Sequence, residues 1–146
     1  MCVRNKVNKL YILNRTESKA EDIAADLNKY IVSEGLFTKV ITLPIDEYNS
    51  IKEDELIVFQ CTKIGLADTD KAVINDTAFY DKVKYGVDLI YRDDTEFINL
   101  VRKSGAKAYN GLKMLMYQGI IAYELWNELS VPEKIVQGVK EVLENG

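Results

Sequence analysis

Short apolar runs rich in β-branched residues recur along this chain, and most are followed by a stretch with helical spacing. The runs are residues 9–13 (KLYIL), 39–43 (KVITL), 55–60 (ELIVFQ), 87–91 (VDLIY) and 106–109 (AKAY). Runs this short, apolar at consecutive positions, suit strands covered on both faces. After the first run, Ala20, Ile23, Ala24, Leu27, Tyr30 and Ile31 fall on one helical face, with Thr16 placed as N-cap and Gly35 just past the end. Pro44 stops the second run, and a polar turn region follows through Asn49 and Ser50. A loop around Gly65 leads to a short helical stretch over 76–83. Thr95 or Asp94 then opens a helix with Phe97, Ile98 and Val101 inward, ending before Gly105. Residues 112–129 predict a long, strongly apolar helix, and Pro132 opens a last one that runs to about Leu143. Alternation of this kind implies an α/β domain built on a mostly parallel sheet.

Composition narrows the chemistry. The 146 residues contain no histidine, which excludes Ser-His-Asp and Cys-His catalysis and every His-ligated metal site. Two cysteines, Cys2 and Cys61, cannot build a four-thiolate zinc site and do not make a disulfide scaffold. No metal site is expected, and a reduced, cytoplasmic setting fits best. The net charge of −4 argues against nucleic acid as the main partner. No apolar run approaches the roughly 20 residues that cross a bilayer, and the first six residues lack the apolar core of a signal peptide, so no membrane association is expected.

The sharpest local chemistry lies where the first strand gives way to the first helix. Asn14, Arg15, Thr16 and Lys19 offer an amide, a guanidinium, a hydroxyl and an ammonium, with no carboxylate before Glu17. In a doubly wound fold the second strand ends beside the adenosine ribose, where an acidic residue selects NAD and a basic one offsets the 2′-phosphate of NADP. The set suits a phosphate monoester. The same residues also read as a turn asparagine, a capping threonine and two solvated charges.

Asn14-Arg15-Thr16-Glu17-Ser18-Lys19-Ala20 resembles the Asn-Arg-Thr-x-x-Arg/Lys-Ala segment of shikimate dehydrogenases, and glutamyl-tRNA reductases carry a similar one. Gln60-Cys61-Thr62-Lys63-Ile64-Gly65-Leu66 is similar to the family's Asn-Ala-Thr-Ser-x-Gly-Met loop. Val87-Asp88-Leu89-Ile90-Tyr91, with Thr95 and Gly105, resembles its Asp-x-x-Tyr-x-Pro…Thr…Gly stretch. Asn110 to Gln118, ending in Glu124-Leu125-Trp126, resembles its Gly-x-x-Met-Leu-x-x-Gln…Glu-Leu-Trp helix and argues against the tRNA enzyme. The resemblance implies NADP as cofactor. Asn14, Arg15, Thr16 and Lys19 would surround its 2′-phosphate, and Thr62 would lie along it. Leu89 and Gly111 would meet the nicotinamide half through their backbone, with Met114 nearby, while Tyr91 and Gln118 would reach a shikimate-like substrate. Leu112, Leu115, Met116 and Ile120 read as helix core.

Several family features have no counterpart here. The family's N-terminal domain binds shikimate and supplies a catalytic Lys–Asp pair, and its cofactor domain opens with a strand and a Gly-rich loop. Nothing of the kind precedes Val7, and no glycine occurs before Gly35. The proline of Tyr-x-Pro is missing, Gln60 stands for the loop's Asn and Lys63 for its Ser. The expectation is therefore one truncated NADP-binding-like domain over residues 1–146, an incomplete Rossmann-like, mostly parallel sheet of about five strands without the usual first strand, and no catalytic residue in this chain. In the order 3-2-1-4-5-6 that strand lies between two others. Each buried, unpaired backbone group it leaves would cost about 1–3 kcal/mol. Runs 9–13 and 55–60 would then pair directly, or a homodimer or companion chain would fill the place. The function implied is the NADP-binding portion of a shikimate dehydrogenase-like oxidoreductase, inactive alone and acting on substrate only with a complementing domain. The alternatives are a non-catalytic binding or assembly module and the cofactor domain of a quinate dehydrogenase.

Overall fold

The computed structural model describes residues 1–145. The element order is β1 (Lys9–Asn14), α1 (Glu17–Ser33), β2 (Lys39–Pro44), β3 (Leu56–Gln60), α2 (Thr77–Tyr80), β4 (Val83–Asp88), α3 (Glu96–Lys103), β5 (Lys107–Tyr109), α4 (Leu112–Asn127) and α5 (Glu133–Asn145). It is the expected α/β alternation, a partial Rossmann-like fold. All the strand pairs are parallel, but the five strands form two sheets, β1–β2 and β3–β4–β5. The orders 2-1 and 3-4-5 are what a doubly wound sheet becomes when its innermost strand is taken out. The direct pairing of runs 9–13 and 55–60 is not made. The chain packs as two compact units, Met1–Lys52 and the residues from Glu53 onward.

In the first unit α1 lies on the β1–β2 ribbon and buries Ala20, Ala24 and Ile31. Ile23, expected inward, is half exposed. The helix stops as the sequence predicts. Gly35 takes a left-handed φ of +62°, its N–H donates to Val32 and the Leu36 N–H donates to Ile31, a glycine-dependent termination that satisfies the last carbonyls. The expected turn after Pro44 is a 3-10 helix, Ile45–Ser50.

In the second unit α3 covers one face of the three-stranded sheet with Phe97, Ile98, Leu100 and Val101, all buried. Thr95 caps it, accepting from the Ile98 N–H at 3.2 Å. Gly86 in the central strand admits α3. A Cβ there would stand 2.5 Å from a Val101 methyl and 3.2 Å from Phe97 Cζ. Strand β4 is Val83–Asp88 rather than 87–91, and the helix expected over 76–83 is one turn, Thr77–Tyr80. The strand ends at Asp88 because its carboxylate folds the chain back, accepting from the Ile90 N–H at 3.1 Å. Leu89 and Tyr91 thus belong to a loop, not a strand.

Helix α4 is apolar almost all round. The groove toward α5 is lined by Leu112, Met116, Ile120, Ile135 and Val139. Met116 is buried, but Leu115, expected in the core, is half exposed, as are Tyr117 and Ile121. Leu125 is 73% and Trp126 82% exposed. No helix among the described residues is long and apolar enough to cross a membrane.

Candidate functional site

The predicted phosphate-facing residues all fall at the carboxyl end of β1 and the first turn of α1. Asn14 ends the strand, and its Oδ1 accepts from the Thr16 N–H at 3.0 Å. Thr16 occupies the N-cap position, but its hydroxyl makes no capping bond; Asn14 shapes the turn instead. Arg15 and Lys19 are exposed, and neither forms an ion pair among the described residues. Two unneutralised cations beside a helix N-terminus favour an anion there. The donor set therefore fits the phosphate monoester of NADP.

The other predicted residues lie in the second unit, around the carboxyl ends of β3, β4 and β5. Leu89 follows β4, its N–H donating to the Gln60 carbonyl at 3.0 Å. Tyr91 is more than half exposed. Gly111 is seated against this loop, its N–H donating to the Ile90 carbonyl at 2.8 Å. A Cβ on Gly111 would fall on the Leu89 carbonyl, 2.7 Å from its carbon. The close approach that requires glycine here is made by the protein's own backbone. Met114 and Gln118 are exposed on α4. Thr62 is placed on the 61–70 loop, and its hydroxyl donates to Gln60 Oε1 at 2.8 Å and accepts from the Ile64 N–H at 3.2 Å. That hydroxyl serves the loop.

Polar groups outside the predicted binding set hold this region. Gln60 spans the start of the 61–70 loop, donating to the Ile64 carbonyl at 2.7 Å and accepting from the Thr62 N–H at 2.9 Å. Asp88, fully buried, accepts from the Thr95 hydroxyl at 2.7 Å. Asp70 accepts from the N–H groups of Gly65 and Ala67 at 2.8 and 3.1 Å. Arg92 donates from Nε and Nη2 to the two oxygens of Asp94, each at 3.0 Å. Of these groups Thr95 carried a capping signal in the sequence and is the cap; the pairings themselves are set by the fold.

Two of these carboxyls give a pH dependence. The backbone N–H groups of Gly65 and Ala67 hold Asp70 below the ordinary carboxylate range, and the hydrogen bond from Arg92 does the same for Asp94. A carboxyl with a lowered pKa in the folded state adds stability above its unfolded pKa, and that stability is lost as the pH falls through the folded value. Thermal melts should therefore be level from neutral pH down to about 5 and fall below about 4. Asp70→Asn should make the acid fall shallower. An unchanged profile in that variant contradicts the assignment.

The half-formed sheet order and the phosphate-suited strand end agree with what the chain is similar to. It is 30% identical over 135 residues to the shikimate dehydrogenase (NADP(+)) of Aquifex aeolicus, covering 88% of this chain and 42% of that protein. The shikimate dehydrogenase (NADP(+)) of Streptococcus mutans is 30% identical over 134 residues, covering 89% and 43%. By this homology the chain belongs to the shikimate dehydrogenase family. Among solved structures, a chorismate mutase/shikimate 5-dehydrogenase fusion protein from Clostridium acetobutylicum superposes with a TM-score of 0.70 at 33% identity, over 94% of this chain and 45% of that one. The chain spans less than half the length of these relatives. No family model matches it.

Proposed function

We propose that this chain is the NADP-binding portion of a shikimate dehydrogenase-like oxidoreductase. The observation that carries the reading is the exposed, unneutralised Arg15 and Lys19 at the β1–α1 junction, inside the segment that resembles the family's. In the first unit Asn14, Arg15, Thr16 and Lys19 would hold the adenosine 2′-phosphate. In the second, the backbone at Leu89 and Gly111 and the Met114 side chain would flank the nicotinamide half, and Tyr91 and Gln118 would face a polyhydroxy acid. The cofactor supplies a hydride for the ketone of 3-dehydroshikimate. The Lys–Asp pair that the resemblance implies for proton transfer has no counterpart in these residues, so turnover requires a complementing domain that supplies it. A reading as a non-catalytic binding module is favoured by one observation, the Thr62 hydroxyl engaged within its own loop by Gln60 and Ile64.

Titration of NADPH fluorescence separates the two. Saturation at micromolar NADPH, with affinity reduced about tenfold or more in Arg15→Ala, is the expected result, since a charge-assisted hydrogen bond contributes about 1.5–3 kcal/mol. NADH, without the 2′-phosphate, should be insensitive to the substitution. No saturation, or equal NADPH affinity in the variant, overturns the proposal.

A further inference from the structure

We infer that Arg92 is a positioning residue, clasping the 61–70 loop to the 91–95 turn and so fixing the backbone around Leu89 and Tyr91. The inference rests on the cofactor-binding reading above. Arg92 forks onto Asp94 in its own turn, and its Nη1 crosses to the other loop, donating to the Leu66 carbonyl at 3.1 Å and to Asp68. Leu66 and Asp68 lie 26 and 24 residues earlier in the chain, so the link is tertiary. The guanidinium is suited to this task because its planar fork serves several acceptors at once, which an ammonium cannot do in the same geometry.

One further contact joins the two loops, and two more brace each of them separately. Gly65 lies flat on the turn, where a Cβ would come within 3.2 Å of both Ile90 and Thr95. Asp70 closes the first loop by binding the Gly65 and Ala67 N–H groups. Asp93 is held from the far side by Arg102 Nη2 at 2.8 Å and by Asn110 at 3.3 Å. Asp93 stands where the resembled Tyr-x-Pro segment has its proline. A proline stiffens a turn covalently. Here side-chain ties from Arg92, Arg102 and Asn110 do that work, and Arg92 adds the 61–70 loop to the rigid body.

The test pairs amide hydrogen exchange with NADPH titration on the full chain. Arg92→Met should raise exchange in residues 63–70 about tenfold while the strand amides of β3 and β4 keep their protection, and should weaken NADPH about tenfold. Arg92→Lys should recover only part of both. Asp68→Asn, altering an exposed side chain, should loosen the loop with no change in far-UV circular dichroism, a safeguard should Arg92→Met misfold. Unchanged loop exchange in Arg92→Met, or in Asp68→Asn where Arg92→Met does not fold, overturns the clasp. Faster exchange with unchanged NADPH affinity overturns the positioning role. A wild-type chain that fails to bind NADPH overturns the functional reading and the positioning role with it, whereas the exchange result still decides the clasp.

Discussion

Asp88→Ala should lower the melting temperature by about 10 °C. The wild-type carboxylate is wholly buried and serves two donors, the Thr95 hydroxyl and the Ile90 N–H. Removing it strands both, at about 1–3 kcal/mol each. The damage spreads to α3, because the Thr95 hydroxyl, oriented by donating to Asp88, accepts from the Ile98 N–H as the helix cap. Loss of a cap costs about 1 kcal/mol. A total near 4 kcal/mol, at about 2–4 °C per kcal/mol for a chain of this size, gives the expected shift. Asp88→Asn retains an acceptor for Ile90 and should lose less. A melting temperature in Asp88→Ala within a degree of wild type contradicts the account.

Gly111→Ala should destabilise the chain by about 2–3 kcal/mol, in the range of overpacked cores. The added methyl has nowhere to go, because what it meets is the Leu89 carbonyl rather than the yielding end of a side chain. Gly119→Ala is the control. That glycine lies within α4 with open space around its Cβ position, so alanine there should be neutral or stabilise by up to about 1 kcal/mol. Urea unfolding of the two variants should displace their midpoints in opposite senses or, at the least, move only that of Gly111→Ala. Equal midpoints in Gly111→Ala and wild type would show that the backbone around Leu89 gives way easily.

The strands and helices of the first unit were legible because their signals are local: an apolar run, a face of small and apolar residues in α1, a glycine at its end. Strand β4 was misplaced because Gly86 breaks the apolar pattern inside a real strand. Only the packing of Val101 and Phe97 explains why a glycine is tolerated there. Conversely, Leu89, Ile90 and Tyr91 continue the pattern past the strand's end, since nothing in the run itself announces the turn that Asp88 makes. The exposed cations at the β1–α1 junction, Arg15 and Lys19, were legible because strand end and helix start are adjacent in sequence. Arg92 was not, since its partners Leu66 and Asp68 are distant in sequence and neither carries a pattern. Thr62 shows the reverse case, a recognisable loop threonine whose hydroxyl the fold consumes.

Helix α4 bears on handling. With Leu125 and Trp126 open to water, concentrated samples will tend to cling together along this oily flank, opposed by the mutual repulsion of a net charge of −4. Added salt screens even that. Dilute, low-salt storage is the regime in which the chain stays dispersed.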